Sequence, residues 1–139
     1  MEDMMSKKQN VPLPVKILSV SLFLFGLLAF FGPLFLWGEG FILDFPEGVS
    51  LSSPVADILV HTPTAIIASI GLWKLTRWGY IVSQFVAGFY IYVSVEILTH
   101  VVQYGPPYAP EIYAPQILAV LIALGLVFYL WRVQSLFQV

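Results

Sequence analysis

Two short stretches place an acid one helical turn before a histidine: Asp57-Ile58-Leu59-Val60-His61 and Glu96-Ile97-Leu98-Thr99-His100. They contain the only two histidines in the chain. Residues four apart on a helix share a face, so each carboxylate stands beside its imidazole. Two imidazoles and two carboxylates form a donor set for a divalent metal, with Zn, Mn or non-haem Fe as candidates. The same groups suit proton relay, because histidine titrates near neutral pH and Glu–His chains occur in intramembrane proton pathways. A haem held by His61 and His100 is disfavoured. Its propionates seek basic partners, and the basic residues are expected at the other side of the protein. The plainest role for the pairs is structural, since a buried polar contact between helices holds them by about 0.6–2 kcal/mol.

The elements that carry these residues are legible from composition. Apolar residues make up 59% of the 139-residue chain and charged residues only 10%. A soluble domain carries about 25% charged residues, so too little polar surface exists here to clothe a water-exposed globule. A net charge of −2 gives no footing for nucleic acid. The absence of cysteine excludes disulfides, thiolate metal sites and cysteine nucleophiles. No nucleophile elbow, P-loop or dinucleotide fingerprint is present.

A membrane-spanning helix needs about 20 mostly apolar residues. Four windows qualify, at about 15–37, 54–73, 78–103 and 115–131, behind an N-terminal tail of 1–14. The expected fold is all-α: an integral membrane bundle of four transmembrane helices within 15–139. The second window is the least apolar, holding Asp57 and His61, and a hydropathy scan is the kind of test that misses it. Ser53-Pro54 reads as its N-cap and first helical residue. Pro63, two residues past His61, removes one helical hydrogen bond and is expected to kink the second span.

Orientation follows from the basic residues. All six (Lys7, Lys8, Lys16, Lys74, Arg77 and Arg132) fall in the N-terminal tail, the second loop or the C-terminal tail. The first and third loops instead carry Glu39, Asp44, Glu47 and Glu111. Cytoplasmic N and C termini satisfy every basic residue, for a multi-pass protein of the cell membrane.

That orientation puts both acid–histidine pairs in the outer half. The second span enters from outside and the third leaves toward it, so Asp57 pairs in depth with His100, and His61 with Glu96. If the two faces meet, all four side chains form one metal-binding cluster. The third span also carries a polar line at Gln84, Gly88, Tyr92, Glu96 and His100, flanked by Thr99 and Gln103. Such a stripe is costly against lipid, so it is expected to face the bundle interior or a partner. Four spans bury little interior, which favours a homo-oligomer or a subunit of a larger membrane complex. Two functions follow from these residues. One is a small polytopic membrane protein whose Asp57, His61, Glu96 and His100 bind a metal ion or relay protons. The other is a non-catalytic accessory or scaffolding subunit in which they serve helix packing alone.

Overall fold

A computed structural model of the chain describes residues 10–38, 55–104 and 110–137; the side chains of 36–38, 100–101, 103–104 and 110–113 lie outside that description. The expected cap at Ser53-Pro54 and the acidic loop residues Glu39, Asp44 and Glu47 fall outside it as well. The described residues form four helices and no strand. Helix α1 is Leu13–Gly38, α2 is Asp57–Trp73, α3 is Arg77–Tyr104, and α4 runs over 110–132. Three of them, α1, α3 and α4, are long and apolar enough to cross a membrane; α2 is apolar but shorter. The polar residues that thin out the second span therefore belong to the shortest helix. The chain is a helical bundle of the multi-pass membrane kind.

Local chemistry sets the helix ends. Pro14 sits in the first turn of α1, where a missing N–H costs nothing. The α2–α3 turn is closed by two backbone bonds, Thr76 N–H to Gly71 O at 2.9 Å and Leu75 N–H to Leu72 O at 3.0 Å. This is the Schellman arrangement, which calls for a left-handed residue after the helix. Glycine is the usual choice, but here Leu75 takes that conformation with φ of 52°. Thr76 then caps α3, its Oγ1 accepting from Gly79 N–H at 3.2 Å. Helix α4 begins at Pro110, a turn and a half before the expected start at Pro115. Pro115 is thus inside the helix, which removes the bond to the carbonyl of Glu111.

Two segments are wound wider than an α-helix. Asp57–His61 and Gly125–Tyr129 are π-helical turns. The first lies just ahead of Pro63, where a kink is expected from the sequence, and it widens the turn that carries Asp57 and His61. Thr62 N–H reaches back five residues to Asp57 O. Thr62 Oγ1 also donates to Asp57 O at 2.9 Å and to Gly26 O of α1 at 3.2 Å. One extra residue per turn rotates the side chains by about 100° relative to a regular helix, and π-turns gather at functional sites. In the second π-turn, Leu126 O accepts a hydrogen bond from Gln84 Nε2 of α3 at 2.9 Å.

Each helix packs on its neighbour in sequence, and α1 and α4 touch far less than the other adjacent pairs. Where α1 and α4 do approach, Leu18 lies against Gly125. Small residues permit the close contacts, as is usual between helices in lipid. Gly71 and Gly79 bring α2 and α3 to backbone contact beside their turn. Ser19 Oγ donates to Ser69 O at 2.8 Å between α1 and α2. Ala65, Ala68, Ala87 and Ala123 are fully buried. After α4 a short 3-10 turn, Gln134–Phe137, folds back and buries Phe137 against Tyr80, with ring centroids 5.7 Å apart. The outer faces of the helices are lined with Leu, Ile, Val and Phe, the surface that hydrocarbon solvates best.

Candidate functional site

A pocket of about 140 Å³ lies at the end of the bundle away from Lys74 and Arg77, and all four helices line it. From α1 come Phe25, Leu28, Ala29 and Pro33. Helix α2 gives Asp57 and His61, α3 gives Phe89, Tyr90 and Val93, and α4 gives Pro115, Gln116 and Ala119. The widened turn ahead of Pro63 puts both Asp57 and His61 on this wall.

The expected pairing of Asp57 with His61 is present: Oδ1 of Asp57 lies 3.3 Å from Nδ1 of His61. An ionised carboxylate only accepts, so the nitrogen facing it carries the proton. In the neutral ring that leaves a lone pair on Nε2. A carboxylate on one ring nitrogen that fixes the other for use is the arrangement seen behind metal-binding and catalytic histidines. His61 is only 7% exposed, and its Nε2 is buried with no hydrogen-bond partner among the described residues.

Aromatic rings enclose the imidazole. Tyr90 meets it edge-on with centroids 4.9 Å apart and an interplanar angle of 83°. Phe89 lies at 5.1 Å, and Phe25 packs on Tyr90 at 5.8 Å. The hydroxyl of Tyr90 is also buried and unpartnered among the described residues, as is Ser94 Oγ one turn further along α3. Buried polar atoms nearly always have partners, so orphans clustered beside one pocket need an explanation. Here two of them, an acceptor nitrogen and a donor hydroxyl, belong to side chains that line the same small space.

The other expected site residues are placed differently. Glu96 is half-buried and does not line the pocket. The side chains of His100 and Gln103 lie outside the described residues. Among the described residues no three of His, Asp and Glu come together as a metal set. The polar line of α3 does not point into the bundle: Tyr92 is 66% exposed, and Gly88 and Thr99 are exposed too. Thr99 Oγ1 satisfies itself on Val95 O at 2.8 Å. Only Gln84 turns inward, to Leu126 O. The line runs instead along an open groove between α2 and α3, shared with Val60, Thr64 and Phe85. The reason is phase. The inward face of α3 is the run Gly79, Ser83, Ala87, Tyr90 and Ser94, which lets the helices close up. The polar line is one or two residues out of step with it.

Tyr90 is the polar pocket-lining residue that sequence reasoning missed, and the signal for it was available. The small residues Gly79, Ser83 and Ala87 mark the packed face at helical spacing, and Tyr90 continues that face where Tyr92 does not. Comparison of the chain with protein-family models, with characterised proteins and with solved structures finds no match.

Proposed function

We propose that this is a multi-pass protein of the cell membrane, both termini cytoplasmic, whose outer-half pocket binds a small molecule that exchanges a hydrogen bond or a proton with His61. One observation carries this reading. His61 and Asp57 line a pocket that all four helices build, Asp57 holds Nδ1 of the ring, and Nε2 is buried with no partner among the described residues. Asp57 is occupied in orienting the ring, so the pair presents one nitrogen, not a cage of ligands. A catalytic zinc site takes about three protein ligands. The metal reading would need His100 or another group to supply the remainder.

Chemical modification tests the reading. Diethyl pyrocarbonate, a small apolar acylating agent, should mark Nε2 of His61 in folded protein held in nanodiscs, as located by peptide mapping. Asp57→Asn should slow that reaction several-fold, because the ring is no longer held in the tautomer with Nε2 free. An unreactive His61 under conditions that modify an exposed histidine would rule out an accessible site. Elemental analysis supplies the other arm. Stoichiometric metal that disappears in both His61→Ala and His100→Ala would replace this reading with the metal-binding one.

The one-sided Lys and Arg distribution supports the orientation. A cysteine introduced at Ser50 should react with an impermeant maleimide added to intact cells, and one at Ser135 should react only after lysis. The opposite pattern would invert the topology and move the pocket to the cytoplasmic half.

The groove on α3 favours a second reading, in which the protein is an accessory subunit or forms an oligomer. Tyr92 and Gly88 form an exposed, partly polar strip beside Thr64. A neighbouring helix would cover such a strip at less cost than lipid does.

A further inference from the structure

We infer that the groove between α1 and α2 at the basic end of the bundle seats an anionic phospholipid, its acyl chain in the groove and its headgroup between Lys16 and Lys74. The site lies at the opposite end from His61 and does not depend on the role proposed there. In the proposed orientation it faces the cytoplasmic leaflet.

The groove suits hydrocarbon. Val20 and Phe23 of α1 and Ile70 and Trp73 of α2 line it, and each is nearly half exposed on the outside of the bundle. Behind them are Ser19 and Ser69, both buried. Their hydroxyls ask nothing of a guest, because Ser19 Oγ donates to Ser69 O at 2.8 Å and lies 3.2 Å from Ser69 Oγ.

One end of the groove is charged. Lys74 lines it directly after the last residue of α2. Trp73 beside it and Trp78 across the turn are exposed, and tryptophan rings settle at headgroup depth. Lys16 joins from α1, one turn before Ser19 and Val20 on the same helical face. Its depth follows from two hydrogen bonds. Ser19 with Ser69, and Gly26 with Thr62, fix one antiparallel register that puts Lys16 level with Leu72. Lys74 stands two residues further out, about 3 Å of helix rise. Two lysines on neighbouring helices therefore flank the groove at one headgroup depth.

Neither lysine meets a carboxylate among the described residues. The acids whose side chains are described, Asp57 and Glu96, belong to the other end of the bundle. A neutral lipid would fill the groove and leave both charges unanswered. A soluble anion would answer the charges and leave the apolar walls bare. An anionic phospholipid does both, and basic pockets between helices on the cytoplasmic side hold such headgroups.

Tryptophan quenching tests the assignment. The protein is reconstituted in phosphatidylcholine vesicles, with phosphatidylglycerol or phosphatidylcholine brominated on the acyl chains as probe. Bromine quenches only at short range, and the signal of Trp73 is taken as the difference from Trp73→Phe. Brominated phosphatidylglycerol should quench Trp73 at a mole fraction about tenfold or more below that of brominated phosphatidylcholine. Lys74→Gln and Lys16→Gln should each cut that preference about fivefold, the effect of one charge near a lipid surface. Arg132→Gln, on α4 and outside the groove, should leave it unchanged. Val20→Phe, which fills the groove and keeps both lysines, should weaken quenching by both lipids. Equal quenching by the two lipids in the unmutated protein would overturn the assignment. A loss in Arg132→Gln as large as in Lys74→Gln would overturn it in favour of diffuse attraction to the basic end. Undiminished quenching in Val20→Phe would overturn the seat of the acyl chain.

Discussion

Gly79→Ala should destabilise the protein more than any other single methyl added to its helices. A Cβ at Gly79 would lie 2.2 Å from the carbonyl carbon of Gly71, and one at Gly71 would lie 2.3 Å from Gly79 Cα. Those neighbours are backbone atoms, so no side chain can swing aside. The two helices must separate, and the turn between them is already fixed by three contacts of Thr76 with Gly71 and Gly79. Overpacking a tight core costs about 1–3 kcal/mol, and a clash with backbone belongs at the top of that range or beyond it. Gly88→Ala is the matched control. The same methyl on the same helix meets nothing within 4 Å, and alanine is favoured over glycine in a helix by about 0.8–1.0 kcal/mol. Unfolding midpoints in detergent should therefore fall sharply for Gly79→Ala and hold or rise for Gly88→Ala. Equal midpoints would mean that α2 and α3 are not in backbone contact.

The second large effect runs the other way. Tyr90→Phe should raise the thermal stability of the ligand-free protein. The Tyr90 hydroxyl is buried on a side chain 2% exposed and has no partner among the described residues. Leaving such a group unpaired costs about 1–3 kcal/mol, and phenylalanine removes the group while filling the same space. The gain should be of that order, seen as a higher melting temperature in nanodiscs. Ser94→Ala should give a smaller gain for the same reason. His61→Leu also removes an orphan, but it leaves the Asp57 carboxylate without its imidazole, so its net effect should be less favourable. A lower melting temperature for Tyr90→Phe would show that the hydroxyl has a partner in the free protein.

Much of this architecture is visible in the order of residues. The apolar windows locate four helices, because a chain in hydrocarbon must satisfy its backbone within each segment. The second helix stands out by composition as the least apolar, and it proves the shortest. Pro63 leads to the expectation of a kink next to His61; the π-helical turn just ahead of it is not foreseen. The Asp57–His61 contact follows from spacing alone, since four residues of helix fix the distance between two short side chains whatever the surroundings.

What the residue order left open is which faces look at one another. Periodicity names the residues that share a side of a helix; it does not say whether that side turns inward. On α3 two candidate faces differ by one or two residues. The polar one, with Gln84 and Tyr92, is chemically conspicuous. The small one, with Gly79, Ser83 and Ala87, is what packs, because dispersion contacts between closely approaching backbones hold helices together in lipid. That choice turns Tyr90 into the pocket and Tyr92 out of it. The pocket itself belongs to no single stretch of chain. Phe25, Asp57, His61, Tyr90 and Gln116 come from four helices, and only their mutual packing sets the volume and the two unpartnered atoms. Local sequence determines the helices and the acid–histidine pair because those depend on neighbours a few residues apart. The tertiary structure decides the site because it depends on rotations of whole helices, each set by contacts far apart in the chain.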